Sequence, residues 1–281
     1  MLKQRIITAL LMLAVLLPAV FYPMPEVFAS VALLLIAAAA WEWARMNQSG
    51  PLASLAIGGV CAGVCLLSWY GGLLYASLRT LWIVAGSAWV LLGAWLLYRG
   101  VAVWSGVPRS LRLIGGVLAL WVAWMAVVHA RINGINFLFS VLVLVWAADI
   151  FAYFAGRALG GRFFTRKLAP SISPGKTWEG ACGGMLGVIV CAFVWRYLDA
   201  TLSLDSLSFY TRLGTGGLAF MVLALLFLAM MSIVGDLVES LFKRSAGVKD
   251  SSGLLPGHGG VLDRVDALLP ILPLAMMLST L

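Results

Sequence analysis

Along this chain, long apolar runs alternate with short segments that hold most of the charge, Pro and Gly. Runs such as 31–40, 111–128, 135–148 and 218–234 each extend to roughly 20 apolar residues, the length that crosses a hydrocarbon core of about 30 Å. In lipid every backbone N–H and C=O must be satisfied within its own segment, so these runs are helices and not isolated strands. Cutting at Pro, Gly and charge predicts nine spans, near 5–22, 27–45, 52–70, 79–98, 112–130, 135–154, 178–196, 213–241 and 262–280. The first run, behind Lys3 and Arg5, has the look of a secretory signal peptide. No small-x-small cleavage site precedes Tyr22-Pro23-Met24-Pro25, however, and another apolar run follows at once, so it reads as a first span. The expected class is all-α, a polytopic integral membrane protein.

Charge orients this array. If the N-terminus lies in the cytoplasm, that side holds every Lys and Arg except Arg79, Arg131, Arg196 and Arg212, although the chain has 19. Such asymmetry is the positive-inside pattern and supports nine crossings. The net charge of +8 therefore reports orientation and contact with anionic membrane lipids, with no nucleic-acid partner expected. Hydrophobic residues make up 63% of the chain, too many for a soluble domain. The chain divides into N-terminal spans (1–131) and a C-terminal region (132–281) carrying two charged cytoplasmic loops, 155–177 and 242–261. Cys61, Cys65, Cys182 and Cys191 sit in apolar runs and form neither a disulfide framework nor a metal-binding pattern.

Four polar clusters interrupt the apolar background. In the first, Asp149 and Tyr153 share a helix face, with Gly156 and Arg157 about a turn on. An aspartate there is either an interfacial residue paired with Arg157 or one wall of a site. The second runs Ser173-Pro174-Gly175-Lys176-Thr177-Trp178-Glu179-Gly180 into span seven. It lacks the upstream glycine and strand of a Walker A loop, but a helix start with Ser173, Lys176 and Thr177 suits an anion. The structural alternative is capping, by Thr177 or Ser173 with Glu179. In the third, Asp236, Glu239, Ser240 and Lys243 form a polar stripe on span eight, followed by Arg244. Snorkelling explains Lys243 and Arg244 but not the deeper Asp236.

The fourth cluster runs from Lys249-Asp250 through the turn Pro256-Gly257-His258-Gly259-Gly260 to Asp263, Arg264 and Asp266. Asp263 and Asp266 are either dipole-favoured helix caps, or Asp263 approaches Asp236 of span eight across an antiparallel helix pair to offer carboxylates for a metal. Two carboxylates plus phosphate oxygens make a typical Mg²⁺ shell.

Together these clusters resemble the phosphatidate cytidylyltransferase family, the CDP-diacylglycerol synthases. Its signature is filled by Ser240, Lys243, Arg244, Lys249, Asp250, His258, Gly259, Gly260, Asp263, Arg264 and Asp266. The elements Ser173 to Gly180 and Gly235 to Ser240 are also similar to that family's, while the N-terminal spans match only as generic membrane helices. The resemblance implies transfer of CMP from CTP to phosphatidic acid, giving CDP-diacylglycerol and pyrophosphate. It implies Mg²⁺, with room for a second cation, a homodimer, and a bacterial inner membrane with the site on the cytoplasmic side. On this reading Asp236 and Asp263 lead as metal ligands, with Asp266 and Asp149 next. Ser173, Lys176, Thr177, Lys243 and Arg244 would bind substrate phosphates, and Gly259 and Gly260 would cradle them. Asp236, Lys249, His258, Asp263 and Arg264 form the catalytic set. A CTP-dependent lipid kinase fits the spacing less well, and a CDP-alcohol phosphotransferase lacks its own Asp-Gly-x-x-Ala-Arg opening here. A transporter would not confine its charges to one face of the C-terminal half.

Overall fold

The computed structural model describes residues 2–202 and 204–280. Twelve α-helices follow in order: α1 (Leu2–Phe21), α2 (Pro25–Met46), α3 (Pro51–Tyr70), α4 (Arg79–Arg99), α5 (Val101–Gly106), α6 (Arg109–Ile132), α7 (Ile135–Leu159), α8 (Trp178–Thr201), α9 (Phe209–Thr215), α10 (Leu218–Ser245), α11 (Leu262–Val265) and α12 (Leu268–Leu278). Among the described residues, eight of these are long and apolar enough to cross a membrane, and they coincide with the first eight predicted spans. Proline at the first helical position starts α2 and α3, where its missing N–H costs nothing. The short α5 and α9 were not expected from hydropathy.

The ninth predicted span is not one helix. It divides into α11 and α12 around Asp266 and Ala267. The cause is Pro270, which has no N–H to give the Asp266 carbonyl and whose ring crowds it. Gly235 on α10 accepts the kink, since a Cβ there would lie 2.8 Å from that carbonyl oxygen and 2.8 Å from the Pro270 ring. Near its end, α12 lays Met277 against Gly86 of α4, about two turns in from the far end of that helix.

Lipid gives apolar helices little reason to associate, so close contact and hydrogen bonds hold the bundle. Gly183, Gly184 and Gly187 let α8 press onto α7, and a Cβ at Gly184 would sit 2.6 Å from the Ala148 carbonyl oxygen. Buried indoles find acceptors on neighbouring helices: Trp124 Nε1 donates to the Ala29 carbonyl (3.0 Å) and Trp43 Nε1 to that of Arg112 (3.0 Å). Polar residues gather at two opposite ends. At one, Arg131 donates to the carbonyls of Val20 and Tyr22, His129 meets the Leu73 carbonyl, and Asp205 caps α7 through the N–H of Ile135. At the other, α1 touches the segment before α11, Thr8 donating to the Pro256 carbonyl (2.9 Å), and Trp43 packs on Phe242.

Candidate active site

That second end collects all four polar clusters. Lys176, just ahead of α8, reaches across to α10 and pairs with Asp236 at 2.6 Å, both side chains only part-buried. Ser240, one turn further along α10, donates to the other Asp236 oxygen at 3.2 Å. Asp149 on α7 faces the same space, where the charges of both Asp236 and Lys176 act on it. Asp266, at the kink between α11 and α12, completes the group. Burial, and after it the charge of Asp236, pushes its carboxyl up to about 7, with Asp149 adding to the effect. Three carboxylates from three helices thus converge with one lysine among them.

This donor set fits a divalent cation. Crowded carboxylates repel one another unless positive charge is placed among them. Among the described residues no three acidic, His or Cys side chains already close a metal cage. Mg²⁺ needs none, because it is held through one or two carboxylates and completes its shell with phosphate oxygens and water.

Asp263 has different neighbours. Its Oδ1 accepts from Lys243 Nζ at 2.8 Å. Its Oδ2 accepts from the N–H and the hydroxyl of Ser251, each at 2.9 Å, and from the N–H of Gly260 at 2.8 Å. Burial alone would raise this carboxyl, but Lys243 and the two N–H groups outweigh it and hold it at about 2. Asp263 therefore ties both ends of the glycine-rich turn to α10. Lys243 is shared with Glu239 as well, so its charge is already matched by two carboxylates.

The turn itself is tightly bonded. Leu255 N–H donates to the Gly259 carbonyl and His258 N–H to that of Leu255, both at 2.8 Å. The N–H groups of Gly260, Val261 and Leu262 go to Asp263 and Glu42. These amides are not free to cradle a phosphate. What the segment does offer is exposed charge, from Lys249 and Arg264, beside the exposed Arg244. Glycine is required here for two separate reasons. Gly259 has φ +80°, a left-handed backbone. At Gly260 a Cβ would fall 2.1 Å from Ser251 Oγ and 2.5 Å from Glu42 Oε1.

The remaining residues sort readily. Thr177 is the N-cap of α8, its hydroxyl oxygen accepting from Gly180 N–H at 3.0 Å. Glu179 does not reach back to that cap. Its Oε1 takes the N–H groups of Gly161, Phe163 and Phe164 and so fixes the other charged loop. Ser173 sits in the tight turn that presents Lys176, its N–H on the Ala169 carbonyl at 2.8 Å and its own carbonyl accepting from Lys176 N–H. Arg157 donates to the Tyr153 hydroxyl (2.9 Å) instead of pairing with Asp149. The residue that sequence reasoning passed over is Glu42 of α2. The signal was there, for it is the one acidic residue between Glu26 and Asp149.

A family model for the cytidylyltransferase family matches residues 3–281. A protein of Haemophilus influenzae named phosphatidate cytidylyltransferase is 39% identical, with 97% of this chain and 96% of that protein aligned. One of the same name from Pseudomonas aeruginosa is 38% identical, over 97% and 95% of the two chains. A third, from Bacillus subtilis, is 40% identical over 53% of this chain and 49% of its own.

Proposed function

The chain belongs to the cytidylyltransferase family, and on that footing we propose that it transfers CMP from CTP to phosphatidic acid, giving CDP-diacylglycerol and pyrophosphate. An oxygen of the lipid phosphate forms a bond to the α-phosphorus of CTP. The bond from that phosphorus to the bridging oxygen breaks, and pyrophosphate leaves with the electron pair. A phosphomonoester with a second pKa of about 6 is already largely dianionic at neutral pH, so no strong protein base is needed. The difficulty is electrostatic: two anions must meet, and charge must be stabilised on the leaving group.

The observation that carries the reading is the accessible Lys176–Asp236 pair beside Asp149 and Asp266. Asp236 and Asp266, with Asp149 beside them, would hold Mg²⁺, which when bound neutralises phosphate charge. Lys176 can exchange Asp236 for a substrate phosphate without losing an anionic partner. Arg244, Lys249 and Arg264, all exposed at the same end, give the triphosphate its cationic surroundings. Asp263 and Lys243 keep the loop that bears Lys249 and Arg264 in place.

The charge asymmetry supports placing this end at the cytoplasmic face of a bacterial inner membrane, where CTP is found. The homodimer is carried by the family resemblance and is tested by the mass of the particle in detergent. For the reaction, purified protein in mixed micelles is given CTP, phosphatidic acid and Mg²⁺. Pyrophosphate and CDP-lipid are expected in equal amounts, and neither after chelation of divalent cations. Release of CDP in place of pyrophosphate would make the protein a lipid kinase and sink the proposal.

A further inference from the structure

Glu42 belongs to the N-terminal spans, three residues before Arg45 at the end of α2, and is fully buried. Its carboxyl faces four donor groups, all from the turn and its flanks, one of them the Ser251 hydroxyl that it shares with Asp263. Oε1 takes the Val261 N–H at 2.9 Å and the Ser252 hydroxyl at 2.5 Å. Oε2 takes the Leu262 N–H at 2.7 Å and lies 3.2 Å from the Ser251 hydroxyl. The two N–H groups stand at the start of α11, where no turn of helix precedes them to accept. The two hydroxyls stand on the other arm of the turn. Gly260 runs so close to the carboxyl that no side chain fits there.

We infer that Glu42 is a positioning residue for the reaction. It clamps the two arms of the 250–262 turn together with Asp263, and the two carboxyls meet at Ser251, whose hydroxyl lies within reach of both. The clamp fixes the approach of Lys249, Arg264 and the Asp266 kink to the substrate phosphates, in a reaction whose rate depends on placement. Van der Waals filling of the bundle does not call for such an arrangement. Leucine or glutamine would fill the volume, but neither accepts from four donors.

The test is Glu42→Gln in the full-length protein in micelles, read in two independent ways. Backbone hydrogen exchange is measured across residues 250–262 and across the long helices. In the variant, exchange in the turn is expected to rise about tenfold or more while α6, α7 and α10 keep wild-type protection. Turnover of CTP and phosphatidic acid is measured in parallel. The expected loss in kcat/KM for CTP is about 10- to 100-fold, carried mostly by KM. The exchange arm stands whatever the substrate is, so failure of the proposed reaction would leave it intact; the turnover arm rests on that reaction. Turn exchange and kcat/KM both within twofold of wild type would overturn the inference. If Glu42→Gln exchanges faster throughout the bundle, Ser252→Ala replaces it. This variant removes one donor at the rim, and wild-type exchange in its turn would overturn the inference equally.

Discussion

At the scale of single residues, the two aspartates that the sequence ranks together have different surroundings. Asp236 is part-exposed and answered by one lysine, whereas both Asp263 oxygens are taken up inside the protein. Their substitutions should separate on a magnesium titration. Asp236→Asn is expected to lower kcat by about 10²- to 10³-fold and to raise the Mg²⁺ concentration needed for half-maximal rate. Asp263→Asn is expected to cost activity while leaving that half-point where it was, because what it loosens is the turn. A shift in the half-point for Asp263→Asn alone would reverse the two roles. The sequence shows which residue types are costly in a membrane and therefore purposeful, and it brought all four clusters forward. It carries no record of which partner a carboxyl faces. One turn of helix separates Asp263 from Asp266, and the Pro270 kink sends the second towards Asp236 and leaves the first with Lys243. Glu42 was legible by the same cost argument, but no cluster of polar residues around it drew attention to it, only Arg45 three residues on.

At the scale of elements, hydropathy and breakers locate the eight long helices to within a few residues, because length and apolarity are what a bilayer demands. The ends that fail are those governed by tertiary contact. α10 runs on to Ser245 through its charged last turn, since Lys243 and Glu239 are compensated within the protein. The last span carries two prolines, and the first of them opens the ladder at Asp266. Gly235 is the counterpart of that opening. Gly235→Ala would push a methyl into the Asp266 carbonyl and the Pro270 ring. A destabilisation of about 1–3 kcal/mol is expected, seen as a lowered unfolding temperature in detergent, together with weakened turnover. Gly115, where a Cβ meets nothing within 4 Å, is the control, and Gly115→Ala should change neither.

For the whole molecule, polar groups gather at two ends, and the four polar clusters that make up the proposed site lie at one of them. The contacts of α1, α2, α8, α10 and α11 at the site end agree with a chain that crosses repeatedly, the basic termini of its helices meeting there. Sidedness can be measured directly. In a background with the four native cysteines replaced, Lys249→Cys and Leu207→Cys, both at exposed positions, should react with a membrane-impermeant maleimide from opposite sides of the membrane. Labelling of position 249 is expected in inverted vesicles and not in intact spheroplasts. The reverse pattern would turn the protein over and remove the site from its nucleotide.

Glu42 and the amides it binds are separated by as many as 220 positions in the chain. At about 5–20 residues per second, roughly 10–40 s of synthesis part the first from the last. Until then the Glu42 carboxyl, about one turn from the end of α2, lacks the donors that bury it in the folded protein. This clamp is therefore the last to close during synthesis, because only the final segment supplies the donors that cover the carboxyl. A chain truncated before Val261 is expected to leave the turn without the two amides that Glu42 holds, and so without one of its two carboxylate anchors.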